Sequence, residues 1–97
     1  MANYRQPIHP GETLRDELIH IGMSASDLAR ILKVPPNRIT EICAGKRAIT
    51  ADTALRLARY FGTSDRFWMN LQNIYELKIA AQKLGEDLYT IPVRNEL

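Results

Sequence analysis

One cysteine cannot form an internal disulfide, so no covalent cross-link holds this 97-residue chain together and Cys43 is left to packing. Long apolar runs are missing too. No stretch approaches the roughly 18 apolar residues that a membrane helix needs, so no membrane partner is expected. The opening MANYRQPIHPGE carries no secretory apolar run, and with the lone cysteine this makes a reducing cytoplasm the expected compartment. Two histidines, His9 and His20, stand too far from Cys43 in sequence to suggest a zinc site, and no glycine-rich phosphate loop or nucleophile motif occurs. Glu12, Asp16 and Glu17 have no second acidic cluster or apolar pocket beside them, and a solvated helix face accounts for them. No metal, cofactor or catalytic activity is therefore expected. Repeats, low-complexity tracts and linkers are also absent, leaving one domain over residues 1–97.

The charge that is present is unevenly placed. The formal total is only +2, but residues 1–29 carry two basic and four acidic side chains, residues 30–59 seven and two, and residues 60–97 four and five. A compact basic middle third favours a polyanionic partner. A solvated basic face is the alternative that charge alone leaves open.

Helix signals run from Pro10 to about Leu84, and the predicted fold class is all-α. A first helix starts near Pro10 or Gly11, has Glu12 in its first turn and Leu14, Leu18 and Ile21 at helical spacing, and stops at Gly22. Ser24 with Asp27 three residues on reads as a capping-box variant ahead of the stripe Leu28, Ala29, Ile31 and Leu32. Pro36 suits a first helical position, so a third helix is predicted to run to about Ala44 with Ile39, Ile42 and Cys43 inward, closed by Gly45. Thr50 and Asp52 open a fourth, with Ala54, Leu55, Leu57, Ala58 and Phe61 as its apolar set. Ser64 caps a fifth, residues 64–84, whose band of Phe67, Trp68, Leu71, Ile74, Tyr75, Leu77 and Ile79 is wider than one core face requires. The tail, residues 85–97, contains Leu88, Tyr89, Thr90, Ile91 and Val93, which favour extended structure, while Pro92 forbids a central strand. An edge strand or ordered arm is expected there, available to a second copy of the chain.

Two short helices joined by a tight turn, within residues 24–45, are what a helix-turn-helix needs. Ala29 is small where the helices cross, and Val34 and Ile39 fill the wedge. A generic helical hairpin shares that pattern. The run PPNRITEICAGKRAITADTALRLARYFGTSDRFWMNLQ, with HPGETLRDEL ahead of it, resembles the HigA-type antitoxins of bacterial toxin-antitoxin modules. That group is also labelled plasmid-maintenance antidote or virulence-associated protein I, within the lambda-repressor-like (Xre-type) class. The resemblance spans residues 9–73 and implies a five-helix fold, a homodimer formed largely through the C-terminal region, and an operator palindrome as DNA partner. It also implies a HigB-type toxin that cleaves messenger RNA as protein partner. A stand-alone phage-type repressor is the alternative.

If the third helix enters the major groove, its exposed residues face base edges: Asn37 for adenine, Arg38 for guanine or a phosphate, Thr40 for a thymine methyl or a phosphate, and Glu41 for cytosine. A solvated Arg38 paired with Glu41 or Asp27 is the bland reading. Lys46 and Arg47, just after that helix, are expected on the phosphate backbone. Two departures from the family pattern alter the remaining backbone contacts. Lys33 stands where glycine is usual, so it must adopt the strained turn conformation and can reach a phosphate. Ala25 replaces a glutamine that many relatives direct at the backbone, leaving Ser24 and Ser26 as substitutes. Phe67, Trp68, Tyr75, Leu88 and Ile91 are the candidate dimer contacts, with the core as the alternative for the three helical aromatics.

Overall fold

The computed structural model describes residues 6–95; of the domain read as 1–97, positions 1–5 and 96–97 lie outside the described residues. Five α-helices follow one another: α1 Pro10–Ile21, α2 Ala25–Leu32, α3 Pro36–Cys43, α4 Ala51–Phe61 and α5 Asp65–Leu84. Their boundaries fall where the caps place them. The Ser24 hydroxyl accepts from the Asp27 N–H at 3.0 Å and so satisfies a donor that the first turn of α2 leaves free. Thr50 and Ser64 occupy the N-cap positions of α4 and α5, but neither side chain makes the capping bond. Pro36 opens α3, as its fixed φ and missing N–H allow.

The turn between α2 and α3 is closed by Lys33 at φ 63°, which is the one non-glycine residue with positive φ among the described residues. Its N–H bonds to Arg30 O at 3.2 Å and that of Val34 to Ala29 O at 3.0 Å, satisfying carbonyls at the end of α2.

The core takes Leu14 and Leu18 from α1, Leu28, Ala29 and Leu32 from α2, Val34 from the turn, and Ile39 and Ile42 from α3. Ile49 then Ala54, Leu57 and Ala58 of α4 complete it with Trp68 of α5. Each fully buried Leu or Ile contributes roughly 1.5–3 kcal/mol, so the faces that α1 and α2 turn on α3 hold it firmly in place. Gly11 permits a close approach of α1 to α3, because a Cβ there would collide with the Ile42 carbonyl. Gln72, buried on α5, accepts from the Ile49 N–H at 2.8 Å and donates to Glu76 at 2.8 Å, tying the α3–α4 connection to α5.

Several apolar residues expected inside lie outside. Ile21, Ile31 and Leu55 are 42 %, 43 % and 57 % exposed. Ile21 ends its helix, while Ile31 and Leu55 flank the buried positions Leu32 and Ala54 on stripes too wide for the space that these short helices enclose. On α5 only Trp68 and Gln72 are buried, and Ile74 and Leu77 face outward. The tail departs from the edge strand expected of it. Gly85–Thr90 forms a 3₁₀ helix, with the Thr90 hydroxyl donating to Asp87 O at 2.6 Å, and extended backbone begins only at Ile91. No strand is offered within the described residues, so the β-preference of this segment has nothing to pair with and local i→i+3 bonds prevail.

Candidate nucleic-acid interface

The exposed face of α3 displays Asn37 and Thr40 fully and Arg38 and Glu41 in part. Thr40 donates through its hydroxyl to Asn37 O at 3.3 Å, which leaves the Asn37 amide free of that bond. The two charged residues are tethered. Arg38 Nη1 donates to Asp52 Oδ1 at 2.9 Å, and Arg47 Nε and Nη2 both donate to Glu41 Oε1, at 2.8 and 2.7 Å. Arg38 therefore pairs with neither of the partners considered for it; Asp27 is taken by Arg30 at 2.8 Å.

Asp52 sits in the first turn of α4, where a carboxylate complements the helix dipole. The same Oδ1 also accepts from Arg56 Nε at 2.7 Å, and Arg56 Nη1 donates to Leu32 O at 2.7 Å at the end of α2. A continuous polar chain thus runs from the last turn of α2 through Arg56 and Asp52 to Arg38 on α3. It fixes the orientation of the arginine on the exposed helix face. The Arg56 hydrogen bond foremost, helped by the charges of Arg56 and Arg38, holds the Asp52 carboxyl below the usual carboxylate range. Asp27 is likewise lowered, first by the Arg30 hydrogen bond and then by that from Ser24. From sequence Asp52 is read only as an opener of the fourth helix and Arg56 is not singled out, although their i,i+4 spacing on a helix signals such a pair.

Arg38, Arg47, Thr50 and Asp52 line one shallow cleft beside α3, so a candidate base reader and a candidate backbone contact share a surface. Lys46 and Arg47 are exposed on the loop that follows α3, and the Lys46 N–H bonds back to Glu41 O at 2.8 Å. Lys33 is exposed at the turn, and Ser26 is exposed in the first turn of α2, whereas the Ser24 hydroxyl oxygen is occupied as a cap. Cys43 packs against the core, and burial raises its thiol pKa, as expected for a small apolar residue in role. Among the described residues no three His, Cys, Asp or Glu side chains gather as metal ligands, and no helix is long and apolar enough to cross a membrane.

The residues expected at a dimer interface divide. Trp68 is 2 % exposed within the protomer's own core, which corrects its assignment to a surface contact; its indole lies 5.8 Å from Phe61 and 5.1 Å from Phe67. Phe67, Leu88 and Ile91 keep 40 %, 40 % and 64 % exposure. Tyr75 is half-buried against the ring of His9, with centroids 4.9 Å apart.

Residues 14–68 match the family model described as helix-turn-helix. Over 95 residues the chain is 53 % identical to virulence-associated protein I of Dichelobacter nodosus, covering 97 % of this chain and 88 % of that protein. An addiction module antidote protein of the HigA family from Coxiella burnetii superposes with a TM-score of 0.88 at 49 % identity, over 93 % of this chain and 99 % of that one. The Pseudomonas aeruginosa antitoxin HigA, solved with the higBA promoter, superposes with a TM-score of 0.85 at 46 % identity, over 94 % and 99 %.

Proposed function

Because this chain belongs to the helix-turn-helix family and, within it, to the HigA-type antitoxins, we propose that it binds its own operator, represses its operon and neutralises a partner toxin that cleaves messenger RNA. This is a family of DNA-binding regulators, not of enzymes. The observation that carries the reading is α3 itself. It is anchored by Ile39 and Ile42 in the core while Asn37, Arg38, Thr40 and Glu41 face out beside the basic loop of Lys46 and Arg47.

A helix so presented reaches base edges in the major groove, and the loop cations settle on phosphates and fix register. Arg38 serves guanine through its fork of donors, Asn37 serves adenine, and Glu41 accepts from cytosine once Arg47 turns to the backbone. Lys33 and Ser26 extend the phosphate contacts along the neighbouring strand. Two-fold recognition requires two such helices about 34 Å apart, and the exposed apolar residues Phe67, Leu77, Leu88 and Ile91 offer the surface for a homodimer.

Titrating the full chain against the duplex upstream of its own reading frame, and against scrambled duplex, tests the DNA-binding half. With roughly 6–10 phosphates neutralised by a dimer, affinity falls about 10³–10⁵-fold between 50 and 200 mM salt. Binding insensitive to salt contradicts this account. The inhibitory half is tested by expressing the neighbouring reading frame. Growth arrest that this chain relieves, even carrying Arg38→Ala and Lys46→Ala, establishes neutralisation as a separate activity. A neighbour that arrests nothing returns the protein to a stand-alone repressor.

A further inference from the structure

We propose that His9 is a positioning residue for DNA binding: its imidazole fastens the start of α1 to the 45–47 loop and thereby holds Lys46 and Arg47 at the end of the recognition helix. The proposal rests on the DNA-binding reading above. Although polar and close to the chain terminus, His9 is only 8 % exposed. Its Nδ1 accepts from the Gly11 N–H at 2.9 Å and caps α1. The neutral ring therefore carries its proton on Nε2, and the Arg47 backbone carbonyl is an acceptor near enough to influence the ring's titration. Tyr75 of α5 meets the ring edge-on, and a Cβ placed on Gly45 would lie 3.9 Å from its Cγ. Beside it Gly11 abuts the Ile42 carbonyl in the last turn of α3.

Capping alone does not explain a histidine here. Serine, threonine, aspartate or asparagine caps a helix with less buried bulk. The ring has the extra length that spans from α1 to the loop, and the loop carries the two cations expected on the DNA backbone.

Protonation undoes this arrangement, because a proton on Nδ1 replaces the acceptor that Gly11 needs with a donor. Burial disfavours the charged ring and is the dominant influence, opposed by the Arg47 carbonyl and by the Glu12 carboxylate on α1, so the pKa lies below 6.5. From α5 the ring faces the Tyr75 phenol ring, and α3 presents the Ile42 carbonyl to the adjoining Gly11. A histidine depressed in the folded state contributes stability that is complete above its unfolded pKa and lost as pH falls through the folded value. The clasp therefore opens on acidification.

The sign separates this role from simple electrostatics. Protonating any histidine adds positive charge, which by itself strengthens binding to DNA. A positioning His9 makes acid weaken it. Affinity and salt dependence are measured on the full chain with the upstream and scrambled duplexes from about pH 7.5 to about pH 5.5, for wild type, His9→Asn and His20→Asn. Asparagine keeps a capping oxygen but cannot reach Arg47, and thermal unfolding confirms that the variant is folded. Wild type and His20→Asn are expected to lose affinity on acidification, with the log–log salt slope shallower by about two per protomer, one for each cation. His9→Asn is expected to show the shallow slope already at neutral pH and no further change. A folded His9→Asn with wild-type slope and pH response overturns the proposal, as does wild-type affinity that rises in acid. Should His9→Asn fail to fold, the sign of the acid response shared by wild type and His20→Asn still decides: affinity that falls supports the clasp, and affinity that rises overturns it. A wild type that binds no duplex at any pH overturns the DNA-binding reading instead.

Discussion

Arg38 and Asp52 meet at 2.9 Å across the gap between α3 and α4, and the Asp52 oxygen they share also holds Arg56. One carboxylate thus orients the arginine expected to read a base and lowers the positive potential of the face that meets phosphate. These two effects oppose each other for affinity but not for selectivity.

Asp52→Asn separates them. Side chains this exposed form ion pairs worth little to stability, so the unfolding midpoint is expected to stay near wild type. Affinity for scrambled duplex rises with the loss of negative charge, and the ratio of operator to scrambled binding falls as Arg38 loses its tether. Competition binding with both duplexes measures the ratio; an unchanged value means that Asp52 does not position Arg38.

Arg38→Ala is expected to cost about 1–3 kcal/mol on the operator and to relax preference at one base pair in each half-site, whereas Lys46→Ala weakens all sequences alike and lowers the salt slope by about one per protomer. Equal losses on operator and scrambled DNA from Arg38→Ala contradict its base-reading role.

Lys33→Gly relieves a left-handed backbone that costs a non-glycine residue about 1 kcal/mol, partly offset by the greater freedom of glycine in the unfolded chain. Urea unfolding should show a gain of up to about 0.5 kcal/mol after that offset, while operator binding weakens through the lost cation. Stability and affinity moving in the same direction would count against a phosphate contact at this position.

Gly11→Ala drives a methyl group into the Ile42 carbonyl, and neither backbone can yield without lifting α1 from α3. Overpacking of this kind costs about 1–3 kcal/mol, read by chemical denaturation. Wild-type stability would show that the two helices slide freely past each other.

Much of the fold is legible in the sequence because its punctuation is local. Ser24, Pro36, Gly22 and Gly62 each act within a few residues of where they stand, and the helices begin and end beside them. The candidate site is legible to the same extent, since α3 and its exposed side chains follow from helical spacing. The pairing of Arg38 is not, because its partner lies fourteen residues on in another helix and only packing brings them together. Nor is the outward turn of Ile31 and Leu55, which depends on how much room the neighbours leave rather than on hydrophobicity. The 3₁₀ segment escaped for a similar reason: strand preference is a property of pairs, and residues 85–90 have no strand to pair with among the described residues.

The outer half of α5 has a consequence for how long the protein survives. From Glu76 to Leu84 none of its residues is fully buried, and a helix segment of that length is marginal in water without support. In the homodimer proposed above a second copy covers Ile74, Leu77 and Leu84, and the order of this segment is then expected to depend on concentration. Limited proteolysis of dilute protein is expected to cut within residues 76–84 sooner than that of concentrated protein, with the bundle around α3 left intact.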